Sequence, residues 1–395
     1  MLATQPSPVR TRPAALEDAS ILSFAVDRWT DVPRCRHHVM SRLAERNRVV
    51  FATAPWYIRE AFRDSGEEVG LNRVSRNLYT YGPPRWLPYS YRFALLNRCS
   101  LSLRCRLLAR TARTLGMGRP ILYIWHPSFA DVIGHFDERL VVYHCYDEYA
   151  AFAGSDRDEV EAAETQILRA ADLVLTVSEG LHARKRVHND NTYLVRNGVD
   201  YQLFASAQAP GTPVAEELRA IARPVIGCVT RVVPEYFDAA LLRRVFSARP
   251  DWSFVVVGPE CAKSPELSRL KALPNVHMLG RRQLSELPSY VKRFDVCLIP
   301  YVLTENKCLA DPLKLYEYLA AGKPVVSKPI PGLSAFGDDV VTRASDAAEW
   351  IEAIEDALHT DSRDLIARRQ AVARQHTWDD RVELISGLIA RALAH

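Results

Sequence analysis

Two parallel-sheet α/β domains facing a central cleft are the fold the sequence predicts, and three observations carry that expectation. Short apolar, β-rich runs alternate with helical stretches almost throughout, as sheets linked by crossover helices require. The alternation forms two series of comparable length, separated by ASAQAPGTP at 205–213, where small and turn-forming residues replace the periodic pattern. At 395 residues the chain also exceeds what one hydrophobic core usually organises.

In order along the chain, ILSFAV (21–26) reads as a buried strand, followed by a helix around 38–46 and a second strand, RVVFATAP (48–55). ILYIWHP (121–127), LVVYHCY (140–146), DLVLTVS (172–178) and TYLVRNGV (192–199) repeat the short β-rich run. Between two of them Val160, Ala163, Ile167 and Leu168 fall at helical spacing. The second series holds strands at 224–230, 252–258, 275–279, 295–301 and 323–327, with helices at 238–248, 285–293, 312–321 and 346–358. Thr377-x-x-Asp380 opens a last amphipathic helix with a capping-box pattern. The expected division is a tail (1–20), a first Rossmann-like domain (21–200), a linker (201–222), a second Rossmann-like domain (223–376) and a final helix (377–395). Open α/β sheets bind ligands beyond the carboxyl ends of their strands, so the cleft between the domains is the expected site.

Composition narrows the function classes. With 48% apolar and 25% charged residues the chain is neither disordered nor collagen-like. A net charge of +4 gives no argument for nucleic-acid binding. No apolar run reaches the ~18 residues of a membrane-spanning helix, and the first twenty residues lack the apolar core of a signal peptide. The eight cysteines form no C-x-x-C pair and read as small buried hydrophobes in a reducing compartment, so a cytoplasmic location is expected. Charge is uneven, however: between Glu68 and Asp131 lie ten arginines and no acidic residue. Residues 91–113 interleave leucines with arginines, as a helix lying on an anionic inner-membrane face would; a basic solvent face, or an arginine cluster for an anionic soluble acceptor, are the other readings.

The most specific stretch is Asp311-Pro-Leu-Lys-Leu-Tyr-Glu-Tyr-Leu-Ala-Ala-Gly-Lys-Pro-Val-Val326. Asp311 is suited to cap a helix, Pro312 fits its first turn, and Gly322 and Pro324 end it. The free N–H groups of that turn suit an anion, with Lys314 as a point charge for phosphate. Glu317, one turn on and on the same face, suits sugar hydroxyls. Together they match the diphosphate and ribose of a nucleotide; the plain alternative is a Lys–Glu surface pair worth a few tenths of a kcal/mol.

This stretch resembles the donor-binding segment of GT-B glycosyltransferases, in the group 1, family-4-like branch that includes polysaccharide and teichuronic-acid transferases. Further similarities follow in register: Tyr146-Asp147-Glu148-Tyr149, Asp172-Leu-Val-Leu-Thr-Val-Ser178, Arg196-Asn-Gly-Val-Asp200, Asn275-Val-His-Met-Leu-Gly280, Leu287-Pro288, Asp295-Val-Cys-Leu-Ile-Pro-Tyr301 and Trp378. The resemblance implies a glycosyltransferase of hexosyltransferase type, moving a sugar from a nucleotide-diphosphate donor, UDP by family frequency, to a hydroxyl of a glycan, glycolipid or glycosylated small molecule. It implies that Lys314 contacts the diphosphate and Glu317 the ribose, that Gly280 and Arg281 line the base pocket, that Tyr301 borders the donor, and that Arg231 supplies a phosphate-binding cation. Where many relatives carry a Glu eight residues before the one matched by Glu317, this chain has Leu309, which leaves Glu305 or Asn306 to contact the donor sugar.

Asp147 and Glu148 follow the LVVYHCY strand at its carboxyl end, where a carboxylate can take the proton of an attacking hydroxyl. By the resemblance Asp147 is the base and Glu148 an alternate. His126, which ends ILYIWHP, and His37, beside His38, are candidates to touch the acceptor or donor sugar. Asp156-Arg-Asp158 has a D-x-D form but opens a helix, which explains its charge, so no catalytic metal is expected. The expected partners are a nucleotide-sugar donor, a glycan or lipid-linked acceptor and an anionic membrane face through residues 91–113, with no nucleic acid. Two other readings stay open here: a catalytically silent GT-B scaffold, suggested by Leu309, and a sugar-nucleotide epimerase.

Overall fold

A computed structural model of the chain describes residues 15–29, 33–55, 69–87 and 94–394. Two parallel sheets form, one per domain. The first has strands β1 (Ser20–Ala25), β2 (Arg48–Thr53), β3 (Gly70–Arg73), β4 (Leu78–Gly82), β5 (Ile121–Ile124), β6 (Leu140–Cys145), β7 (Leu173–Thr176) and β8 (Thr192–Leu194), in the order β3-β4-β2-β1-β5-β6-β7-β8. The second has β9 (Val225–Val229), β10 (Ser253–Val257), β11 (Val276–Met278), β12 (Val296–Ile299), β13 (Val325–Ser327) and β14 (Thr342–Arg343), in the order β11-β10-β9-β12-β13-β14. Every pairing is parallel except β3 with β4.

The near-continuous apolar runs are explained by burial on both sheet faces: all six residues of β6 are buried, as are all five of β9 and β10. An aspartate at the entry of one strand ties down its neighbour in each sheet. Asp172 Oδ2 accepts from Val141 N at 2.8 Å, and Asp295 Oδ2 from Val225 N at 2.7 Å. Strand order reverses at β1/β5 in one sheet and β9/β12 in the other, which opens a crevice at the carboxyl ends of those strands.

Several elements differ from expectation. The β3–β4 hairpin was not foreseen, because NLYTYG is a short polar-aromatic run without clear alternation. Residues 201–222, expected as a linker, are packed: Phe204, Ala207 and Leu218 enter the second domain's core, and Gln208 Nε2 donates to Ala321 O at 2.7 Å. The helix Arg363–Arg374 is too polar to show a stripe, yet Arg369 is buried and donates to Gly322 O. Asp311 does not cap the helix that follows it. Pro312 is the cap position of the helix Leu313–Ala320, and the Asp311 carboxylate turns back to accept from Asn197 N at 2.6 Å and Tyr316 Oη at 2.7 Å.

The chain crosses between the domains at 196–200 and again at 376–378. Val199 and Thr377 form a parallel bridge there. A Cβ on Gly198 would stand 2.8 Å from Trp378 N, so only glycine permits this approach. The helix Trp378–Ala394 then packs on the first domain, burying Trp378, Ile385, Leu388 and Ile389 against the helix Cys35–Arg46 and the sheet. The His38 ring stacks on Trp378, 5.0 Å between centres.

Candidate active site

The carboxyl ends of β5 and β6 deliver His126 and Asp147 to the cleft, and those of β9, β11 and β12 deliver Arg231, Gly280 with Arg281, and Tyr301 from the other side. Asp147 is half-buried, and burial raises its pKa above the ordinary aspartate value; Lys307, the Asn306 amide, Arg36 and Arg34 pull it back down. The Tyr301 phenol is pushed well up by burial, with Cys228, Asp147 and Glu317 adding to the effect. Tyr301 therefore lies within the electrostatic reach of both carboxylates, one from each domain.

Lys314 and Glu317 are on one face of the Leu313–Ala320 helix and bond to each other, Nζ to Oε2 at 2.6 Å. Both are largely buried at the cleft, and the ammonium of Lys314 is one of the charges that, after burial and Arg42, depress the His38 pKa to about 3. Arg231 and Arg281 are exposed, and Gly280 turns the chain at φ +72°.

Other candidates are placed differently from expectation. The Glu148 side chain is buried, with both oxygens accepting from Lys185 Nζ at 3.1 and 3.2 Å and one from Arg184 at 3.2 Å. Lys185 also bonds Glu164 Oε2 at 2.7 Å, and Glu164 accepts from Tyr143 Oη. Such a paired carboxylate holds the loop rather than taking a proton. His37 is likewise taken up by its own chain: Nδ1 accepts from Arg34 N at 3.1 Å and Nε2–H donates to Arg28 O at 3.0 Å. That fixes the loop before the helix and keeps the ring off any sugar.

His126 Nδ1 accepts from Ser128 N at 3.1 Å, which puts the proton of the neutral ring on Nε2. Burial lowers its pKa to about 4, with Arg36 adding, so it is uncharged at neutral pH. Asn306 does not point to the donor side of the cleft; it crosses to Asp147, with Nδ2 3.1 Å from Oδ1. Glu305 is engaged by Arg157 and Arg184, each at 2.8 Å. Leu309 packs into the first domain over Gly180, where a Cβ would collide with its Cδ2, and its carbonyl accepts from Ser178 Oγ at 2.6 Å. Asp156 accepts from Glu159 N as an ordinary helix cap.

Two residues close to Asp147 escaped sequence reasoning. Lys307, whose only signal was its place beside Asn306, lies 4.5 Å from the Tyr236 ring centre and 5.3 Å from that of Tyr301. Arg36, in the basic run RCRHH, is fully buried, pairs with Asp27 and lies 4.5 Å over the Tyr146 ring.

Residues 223–360 match the glycosyl transferases group 1 family. TuaH of Bacillus subtilis (strain 168), whose name assigns it to teichuronic acid biosynthesis as a glycosyltransferase, is 29% identical over 284 residues, covering 66% of this chain and 69% of that protein. Sucrose-phosphate synthase from Thermosynechococcus elongatus superposes with a TM-score of 0.70 at 18% identity, over 95% of this chain and 99% of that one. Anabaena HepE in complex with UDP and glucose gives 0.64 at 16% identity, over 95% and 99%. The trehalose 6-phosphate synthase of Burkholderia multivorans gives 0.66 at 14%, over 96% and 100%. The second domain is thus similar to the glycosyl transferases group 1 family over most of its length, and the chain as a whole has the two-domain GT-B fold.

Proposed function

We propose that the protein transfers a hexosyl group from a nucleotide-diphosphate donor, UDP in first place, to a hydroxyl of a glycan or lipid-linked glycan, without a metal ion. The observation that carries this reading is that Asp147 of the first domain is bonded across the cleft to Asn306 of the second, whose following helix Leu313–Ala320 presents Lys314 and Glu317 on one face of its first turns. In the free protein Lys314 and Glu317 neutralise each other. A bound nucleotide separates them: phosphate oxygens take Lys314 and the free N–H groups of its helix turn, and ribose hydroxyls take Glu317. The presence of UDP in the HepE complexes supports a uridine donor for this chain as well.

Asp147 acts as the base. The acceptor hydroxyl gives its proton to the Asp147 carboxylate as its oxygen bonds to the anomeric carbon. The bond from that carbon to the diphosphate breaks, and its electron pair leaves with the diphosphate, stabilised by Lys314, Arg231 and the helix turn. Glu148 keeps the base loop in place through Lys185.

Calorimetry with UDP, GDP and dTDP tests the donor side. Lys314→Ala is expected to weaken binding of the preferred nucleotide by about tenfold or more, the size of one charge-assisted phosphate contact. If none of the three nucleotides binds the native protein, the reading fails.

The acceptor side is proposed to face an anionic leaflet. Among the described residues no helix is long and apolar enough to cross a membrane. The helix Ala94–Thr114 buries Cys105, Leu108 and Ala112 against the sheet and exposes Leu103, Arg106, Arg110 and Arg113; Trp86, 67% exposed, precedes it. Tyr91–Phe93, part of the expected interfacial segment, lie outside the described residues. Reversing Arg106, Arg110 and Arg113 to Glu is expected to abolish sedimentation with vesicles containing phosphatidylglycerol, since each basic residue near such a surface contributes about 1 kcal/mol. Native protein that stays in the supernatant would refute the surface role.

A further inference from the structure

Asp147 belongs to the first domain, yet the side chain bonded to its carboxylate belongs to the second. Asn306 is fully buried; its Nδ2 donates to Asp147 Oδ1 at 3.1 Å and reaches Glu148 O at 3.4 Å, while its Oδ1 meets no partner among the described residues. Lys307, the next residue, lies over Tyr236 and Tyr301 at the same wall of the cleft. The turn that carries both, Glu305–Cys308, is joined to the first domain on either side. Glu305 pairs with Arg157 and Arg184, and Leu309, just beyond the turn, rests on Gly180 with its carbonyl held by Ser178.

We propose that Asn306 and Lys307 are positioning residues that complete the base from across the cleft, so that the Asp147 carboxylate is held in one orientation only when the two domains are closed. This rests on the reading of Asp147 as the base. Burial disfavours a carboxylate unless a donor or a cation faces it. Asn306 supplies the donor, and Lys307 is the foremost of the charges that favour ionisation.

The remaining groups around Asp147 do not carry this coupling. Arg34, Arg36 and Cys35 face it from the start of the Cys35–Arg46 helix; both arginines are tied to Asp27, and all belong to the same domain as Asp147. Tyr146 and Tyr149 on its own loop, and Tyr236 and Tyr301 opposite, are kept protonated by burial. Glu148 is neutralised by Lys185. Opening the cleft therefore removes Asn306 and Lys307 together with the uncharged phenols of Tyr236 and Tyr301, and leaves Asp147 with the groups of its own domain. A base assembled by closure also spares the donor, because water in an open cleft meets no oriented carboxylate.

Carboxyl ¹³C NMR of the full chain tests this without a substrate, the Asp147 signal being identified by its loss in Asp147→Asn. Asn306→Leu and Lys307→Met are each expected to move the Asp147 titration up by about one pH unit, since each leaves the buried carboxylate less compensated. An unmoved midpoint in both variants overturns the proposal. A midpoint that falls to the ordinary aspartate range also overturns it, because the turn would then be a structural latch whose loss admits water. Lys307→Met changes a half-exposed side chain and keeps the test decisive if Asn306→Leu does not fold. An Asp147→Asn protein that still transfers sugar would remove the base reading and leave this titration result standing, so the two fail separately.

Discussion

Asp147→Asn is expected to lower sugar transfer by about 10²- to 10⁴-fold, the usual contribution of a positioned general base. Nucleotide affinity should stay within about twofold, because the diphosphate and ribose contacts are assigned to the other domain. The amide matches the carboxylate in size, and its oxygen can still accept from Asn306 Nδ2, so the fold is preserved. Release of UDP from UDP-glucose, with water or a supplied glycan accepting, measures the first quantity and calorimetry the second. The native pH profile carries a sign of its own. A base must be ionised, and burial raises the Asp147 pKa, so the rate falls on the acid side at a pH above the ~3.9 of an ordinary aspartate. An Asn variant with near-native turnover would show that the proton goes elsewhere.

Lys185→Ala is expected to destabilise the first domain by about 3–5 kcal/mol, the cost of stripping the partner from a buried ion pair. Its ammonium bridges Glu148 and Glu164, both about 4% exposed, and its removal leaves two carboxylates competing for Arg184 and the Tyr143 hydroxyl. Burial by itself would lower the Lys185 pKa, but Cys145, Glu164 and Glu148 outweigh it and hold the ammonium above its ordinary value. For a cation raised in this way the stabilisation is complete below the unfolded-chain value of ~10.4 and fades as pH climbs through the folded one. The native protein thus keeps this contribution throughout the neutral range. Urea unfolding followed by tryptophan fluorescence reads the change. A loss below about 1 kcal/mol would mean that the three side chains are no more than a solvated surface network. Replacing Lys185, Glu148 and Glu164 together by Met, Gln and Gln should recover much of the loss, since no charge is then left unpaired.

Much of the architecture was legible along the chain because its strands are buried on both faces. ILSFAV, LVVYHCY and WSFVVVG are apolar but for Ser23, His144 and Ser253, which are buried too, as strands of a parallel sheet covered on both faces are. The Lys314–Glu317 pair was legible for another local reason: the two are three residues apart on one helix, so their shared face follows from helical geometry. Where local signals were weak, the reading failed. Residues 201–222 look like a linker because Pro210-Gly211-Thr212-Pro213 interrupts the periodic pattern, yet Phe204 and Leu218 find a hydrophobic surface that only the folded second domain offers.

The carboxylates after β6 separate what each level decides. The sequence by itself determined that Asp147 and Glu148 lie at the carboxyl end of a central strand, and that a helix opens after Pro312 in the other domain. Only the tertiary structure distinguished the two acids: adjacent residues point to opposite sides, one toward Asn306 and Lys307 across the cleft, the other toward Lys185 and Glu164 beneath the loop. It likewise turned Asp311 from a helix cap into the anchor of Asn197, and His37 from a candidate sugar contact into a loop clasp. The physical reason is common to all of these. A side chain's partners lie on other elements, from 37 residues away for Lys185 and Glu148 to more than a hundred for Asn306 and Asp147, or on a loop whose path is set by packing, and spacing along the chain carries no record of either.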